Sequence, residues 1–199
     1  MSIFSIIKSR WQNDINSDAK NLNQPLSVKG LTGKEMQLKF IKEYLKPLLK
    51  QQGYLTKGQT WWRGNDDFFT IINLQNFSWN LQDDVSFCFN IGVGLKATMK
   101  NPKASPNIHD LTVGLRQGAY LTKAKEFNKH RNQTGYSVKT GDEFVEFVSI
   151  ITADFEHDIL PKLSDLKTLK DCVDYYEGTP FWGDNLKRVL IENNIPVLK

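Results

Sequence analysis

Phe68 to Gln75 and Val85 to Leu95 place aromatic and β-branched residues at alternate positions with amides between them, across a short polar turn, and Trp61-Trp62-Arg63 precedes them. Successive side chains of a strand point to opposite faces, so a period of two specifies an antiparallel sheet with two unlike sides. One side carries Ile72, Leu74, Phe87, Phe89, Ile91 and Val93, and the other carries Asn73, Gln75, Cys88 and Asn90. The first set is a core. The second is a polar surface whose amides must bond to water, to each other or to a ligand.

The rest of the chain completes this sheet and covers it. Tyr54 to Arg63 and Phe68 to Phe77 are expected as strands joined by Gly64-Asn65-Asp66-Asp67, whose composition suits a hairpin loop. Leu81-Gln82-Asp83-Asp84 turns into Val85 to Leu95, where Gly92 and Gly94 imply a bulge or a close backbone approach. Leu111 to Arg116 and Tyr136 to Lys139 bring the expected total to four to five strands. Thr32 and Glu35 have the spacing of a capping box, and Leu38, Ile41, Leu45 and Leu48 follow at helical spacing until Gly53. Pro47 predicts a kink near Tyr44. Phe144, Phe147, Val148, Ile151, Phe155 and Ile159 share one face of a second helix that Pro161 bends or ends. Leu163, Leu166 and Leu169 continue an apolar stripe, and Trp182, Leu186, Val189 and Leu190 mark a last short helix before Pro196. This order predicts an α+β fold, an antiparallel sheet packed on one face by N-terminal and C-terminal helices. Asn13 to Gly33 are rich in Asn, Ser, Asp, Gln and Gly, and residues 1–33 are expected as a mobile or partly ordered lead-in to a single domain over 34–199.

A chain of 199 residues with 40% hydrophobic content supports one well-buried core. The net charge of +4 is too mild to indicate nucleic acid by itself. Its distribution is more telling: Lys96 to Lys139 holds nine basic residues against two acidic, and Asp142 to Glu177 holds three basic against ten acidic. Two such segments are expected to lie against each other or to form separate solvated faces, with an anionic partner for the basic one as the sharper alternative. Cys88 and Cys172 are too few for a disulfide scaffold and fit free thiols in a reducing cytosol. Neither a secretory leader nor a run of about 18 apolar residues is present in the sequence, so a cytoplasmic, non-membrane protein is expected.

Motif-like spacings fail in their details. Gly92-Val93-Gly94 follows a strand, as a dinucleotide fingerprint would, but Pro102 closes any following helix too soon. Asp14, Asn16 and Asp18 have the spacing of a calcium loop, but Ala19 replaces its glycine and Pro25 its glutamate. His109, His130 and His157 are scattered, and adjacent Glu156-His157-Asp158 cannot converge on one ion. No metal and no cofactor is expected. His109-Asp110 near Arg116 is the best catalytic arrangement available, a base oriented by a carboxylate with a cation to hold an anion. Asn73, Gln75 and Asn90, bordered by Trp62 and Arg63, are the candidate ligand-binding residues.

These residues also carry a family resemblance. Leu45-Lys46-Pro47-Leu48-Leu49 leading to Gly53-Tyr54, then Lys57 to Arg63, Ile71 to Gln75 and Phe87 to Val93 resemble the bacterial domain of unknown function 4304 family. A looser match surrounds His109 and Leu115-Arg116, and the likeness runs from about Lys34 to Lys170. It implies a cytosolic bacterial α+β domain and brings no established activity. The favoured reading is therefore a non-catalytic module that binds a ligand or protein through the polar sheet face. Two readings compete with it. One is a small hydrolase-type enzyme acting on an anionic substrate, with His109 as base and Arg63 or Arg116 as clamp. The other is a weak nucleic-acid binder that uses the basic 96–139 segment.

Overall fold

The computed structural model describes residues 30–101, 105–122 and 127–197. The lead-in expected over 1–33 lies outside them apart from Gly30 to Gly33. Thr32 opens the first helix through its capping box: its Oγ1 accepts the Glu35 N–H at 3.3 Å, and the Glu35 carboxylate accepts the Thr32 N–H at 2.9 Å. Helix α1 (Gly33–Phe40) then runs through a widened turn, Ile41–Leu45, into α2 (Lys46–Gln51). After the sheet come α3 (Phe144–Asp154), a second widened turn at Phe155–Ile159, and α4 (Leu160–Asp165), followed by α5 (Leu169–Tyr176) and α6 (Trp182–Glu192).

Both widened turns have the same cause. A proline has no N–H to donate to the carbonyl four residues back, and its ring crowds that carbonyl. One π-type turn sits just ahead of Pro47 and another just ahead of Pro161, where the Lys46 and Leu160 N–H groups reach back to the carbonyls of Ile41 and Phe155. The kink expected near Tyr44 is thus absorbed and the helix continues. Leu38, expected on the inner face, is 54% exposed, because it lies about 200° around the helix from buried Met36. Phe40 takes the inward position.

The sheet has six strands: β1 (Leu55–Lys57), β2 (Thr60–Gly64), β3 (Phe68–Asn76), β4 (Asp84–Leu95), β5 (Val113–Arg116) and β6 (Tyr136–Lys139). Every pairing is antiparallel, in the order β1-β2-β3-β4-β5, with β6 also on β4. The count exceeds expectation because Tyr54 to Arg63 is not one strand. Gly58, at φ 61°, reverses the chain and makes a hairpin of β1 and β2. Strand β4 carries β6 along Asp84 to Phe87 and β5 along Asn90 to Val93, end to end on the edge away from β3. At the joint, the Gln117 side-chain carbonyl accepts the Phe89 N–H at 2.9 Å and completes the ladder where no strand can. The close approach expected at the glycines is present: a Cβ at Gly92 would sit 1.8 Å from the Val113 carbonyl oxygen.

Ile72, Leu74, Phe87, Phe89, Ile91 and Val93 are buried together on one face, as the alternation requires. Phe147 of α3 meets Phe40 and Phe87 edge-on, and Phe155 meets Phe89 at 4.9 Å between ring centroids. The oppositely charged segments do lie against each other. Lys129 pairs with Asp142 at 2.8 Å, Arg131 with Asp154, and the Thr122 N–H donates to Asp158 at 3.1 Å.

Candidate functional site

On the opposite face the register lines up Thr60, Asn73, Asn90 and Arg116 across β2 to β5. Gln75 stands one step along β3, and its Oε1 accepts from Asn90 Nδ2 at 3.0 Å and from an Arg116 N–H at 3.3 Å. Asn73 Nδ2 donates to Thr60 Oγ1 at 2.9 Å. The amides thus ladder across the strands while Gln75 and Arg116 stay exposed and Asn73 and Asn90 half-buried. Cys88, assigned to this face by its parity, is fully buried: the Arg116 guanidinium reaches its sulfur, and Gly135 packs against its Cβ.

Two aromatic residues extend the row. Phe77 is the next position in the Asn73, Gln75 alternation, and its N–H bonds to the Ser86 carbonyl at 3.1 Å. Its ring stacks on Trp79 at 4.7 Å, and Trp79 is 66% exposed. Trp62 is the aromatic residue expected here from the sequence. Trp62 does lie on the polar side, but it is 8% exposed and packs as part of the structure. Trp79 was missed because it sits in a turn, where no period marks it.

Arg63 does not border this face. Its register partner is Thr70, which shares the side of Ile72 rather than of Asn73, so its guanidinium turns toward the helices. There it donates to the Gln52 carbonyl at 3.2 Å and the Leu163 carbonyl at 3.4 Å, over the Tyr54 ring. The catalytic arrangement is likewise dispersed. His109 is exposed at the rim of a cleft of about 230 Å³ that also takes in Asp110, Asn185 and Arg188, and neither Arg63 nor Arg116 lines it. Asp110 spends its carboxylate on the Asn107 N–H at 2.8 Å, and Arg188 is engaged by Glu192 and Asn185. Base and clamps therefore fall in three separate places.

Buried polar groups concentrate between β6 and α3. Arg131 forks onto Asp154, its Nε donating to Oδ2 at 2.8 Å, and the Tyr136 hydroxyl donates to the same oxygen at 2.8 Å. Burial, with the Asp154 carboxylate beside it, holds the Tyr136 phenol well above its ordinary range. His130 is fully buried, donates from Nδ1 to the Ser137 carbonyl at 3.0 Å and lies edge-on to Phe147. Burial pushes the Cys172 thiol up to about 12. Among the described residues no group of three or more His, Cys, Asp or Glu is placed to hold a metal ion, and no helix is long and apolar enough to cross a membrane.

A helix-covered antiparallel sheet with an open amide and arginine row on its other face defines the class as a two-layer α+β domain. Residues 45–165 match the model of the family described as Domain of unknown function (DUF4304), and the chain belongs to that family. The matched span includes every residue of the amide row, together with Arg63, Trp79 and His109. No curated protein and no solved structure matches the chain.

Proposed function

We propose that the protein is a non-catalytic binding module that holds a segment of a protein partner across its polar sheet face. The observation that carries this reading is the row itself: Asn73, Asn90 and Gln75 presented beside exposed Arg116, with the Phe77–Trp79 stack at its end. The ladder fixes the amides in place before a partner arrives, so little side-chain entropy remains to be lost on binding. Arg116 and Trp79 are of the residue types that most often anchor interfaces. A cytosolic setting fits the two cysteines, both free and buried.

The test is affinity capture from lysate by the full chain beside its Arg116→Ala and Trp79→Ala variants, quantified by mass spectrometry. A partner retained by the unmodified chain and depleted at least about tenfold by either variant supports the reading. Equal capture by all three chains, or hydrolysis of phosphodiesters or esters by purified protein, overturns it.

A further inference from the structure

The side of β2 that carries Arg63 ends at a cavity of about 300 Å³ between the β2–β3 hairpin and the end of α4 with the residues that follow it. Arg63, Asn65, Phe68, Ser164, Leu166 and Lys167 line it, and no carboxylate does. The Arg63 guanidinium is half-buried, and its partners are neutral oxygens: the carbonyls of Gln52 and Leu163 and the Ser164 hydroxyl at 3.5 Å. Among the described residues neither Arg63 nor the Lys167 ammonium takes part in an ion pair; the carboxylate that acts on Lys167 is that of Asp171, which accepts the Lys167 backbone N–H at 3.0 Å. A cation drawn partly out of water without a counter-charge favours the arrival of an anion, and a guanidinium offers a planar fork for one.

The walls are held in place. Asn65 Nδ2 donates to the Lys167 carbonyl at 2.9 Å while its Oδ1 accepts the N–H groups of Asp67 and Phe68 at 2.9 and 3.0 Å. One side chain thereby ties the hairpin loop to the stretch bearing Ser164 and Lys167. Phe68 and Leu166 supply an apolar wall. We infer that this cavity binds a small organic oxyanion, a carboxylate or phosphate gripped by Arg63 and Lys167 with its apolar body against Phe68 and Leu166. The Ser164 hydroxyl donates to the same anionic group. The site lies on the opposite face from the amide row and does not depend on it.

The test is amide NMR titration of the full chain with benzoate, phenyl phosphate and neutral benzamide. Saturable shifts at Gly64, Asn65, Ser164 and Lys167 are expected with at least one of the two anions, and the one that binds tells carboxylate from phosphate. Lys167→Ala and Arg63→Gln should each weaken that binding at least about tenfold. Lys167 is exposed, so its variant keeps the test sound if Arg63→Gln fails to fold. Arg116→Ala should leave the titration unchanged. No saturable shift with either anion, equal shifts with benzamide, or undiminished binding by Lys167→Ala overturns the inference.

Discussion

Arg131 and Arg63 are both drawn partly out of water beside a helix, yet they meet different company. Arg131 closes on Asp154, and Tyr136 completes that carboxylate's shell. Arg63 finds two carbonyls, a hydroxyl and an aromatic ring, all neutral. A guanidinium that already holds a carboxylate is part of the scaffold. One held only by dipoles keeps its charge for something else, so the number of arginines says less than the partner each has found.

That contrast breaks most easily at Asp154. Asp154→Ala removes the carboxylate onto which Arg131 forks and the acceptor of the buried Tyr136 hydroxyl, and should cost about 3–5 kcal/mol in urea unfolding. A loss below about 1 kcal/mol would mean that the pair does not hold the fold. Arg63→Met keeps the apolar stem and gives up only neutral contacts and the Tyr54 stacking, so about 1 kcal/mol or less is expected in the same measurement. Lys167→Ala should stay within about 0.5 kcal/mol, since its exposed ammonium takes part in no ion pair among the described residues and reaches Asp171 only through solvent-screened charge.

Acid tests a second ion pair between the same two segments, Lys129 with Asp142. Burial raises the Asp142 carboxyl, but the Lys129 ammonium and the Lys139 N–H outweigh it and leave the group below its ordinary value. A carboxyl lowered in the folded state contributes stability above its unfolded value of about 4 and loses it as pH falls through the lower folded value. Urea midpoints measured down that range should fall more steeply for the unmodified chain than for Asp142→Asn. Equal slopes would remove Asp142 from the account. The Cys172 thiol, held far above neutral pH, should resist thiol reagents at pH 8 until the chain unfolds.

The parts of this fold that were legible in the sequence depend on local period or local chemistry. The Thr32 and Glu35 cap, the Ile72 to Val93 core face and the shared side of Asn73 and Asn90 follow from spacing alone. What spacing misses is set by tertiary neighbours. Gly58 looked like a residue within a strand because nothing local announced that β1 and β2 would pair with each other. Proximity to Trp62 puts Arg63 with the amides, although adjacent strand residues face opposite ways and one of the two carbonyls that hold it, that of Leu163, comes from far along the chain. Cys88 has the right parity for the polar face, and the return of the chain at Gly135 together with the Arg116 guanidinium covers it. Asp154 likewise gets its partners, Arg131 and Tyr136, from 18 or more residues away.

The doubled strand pairing on β4 also bears on how copies of the molecule meet. Its outer edge is taken by β5 and β6 in succession, and the Asn185 side chain bonds to the Thr112 carbonyl at 2.9 Å beside β5. At the other end of the sheet, β1 presents three residues, closed by Lys57 and turned away at Gly58. A neighbouring chain seeking backbone to pair with finds a short, charged stub there, and the sheet is guarded against edge-to-edge aggregation in concentrated solution.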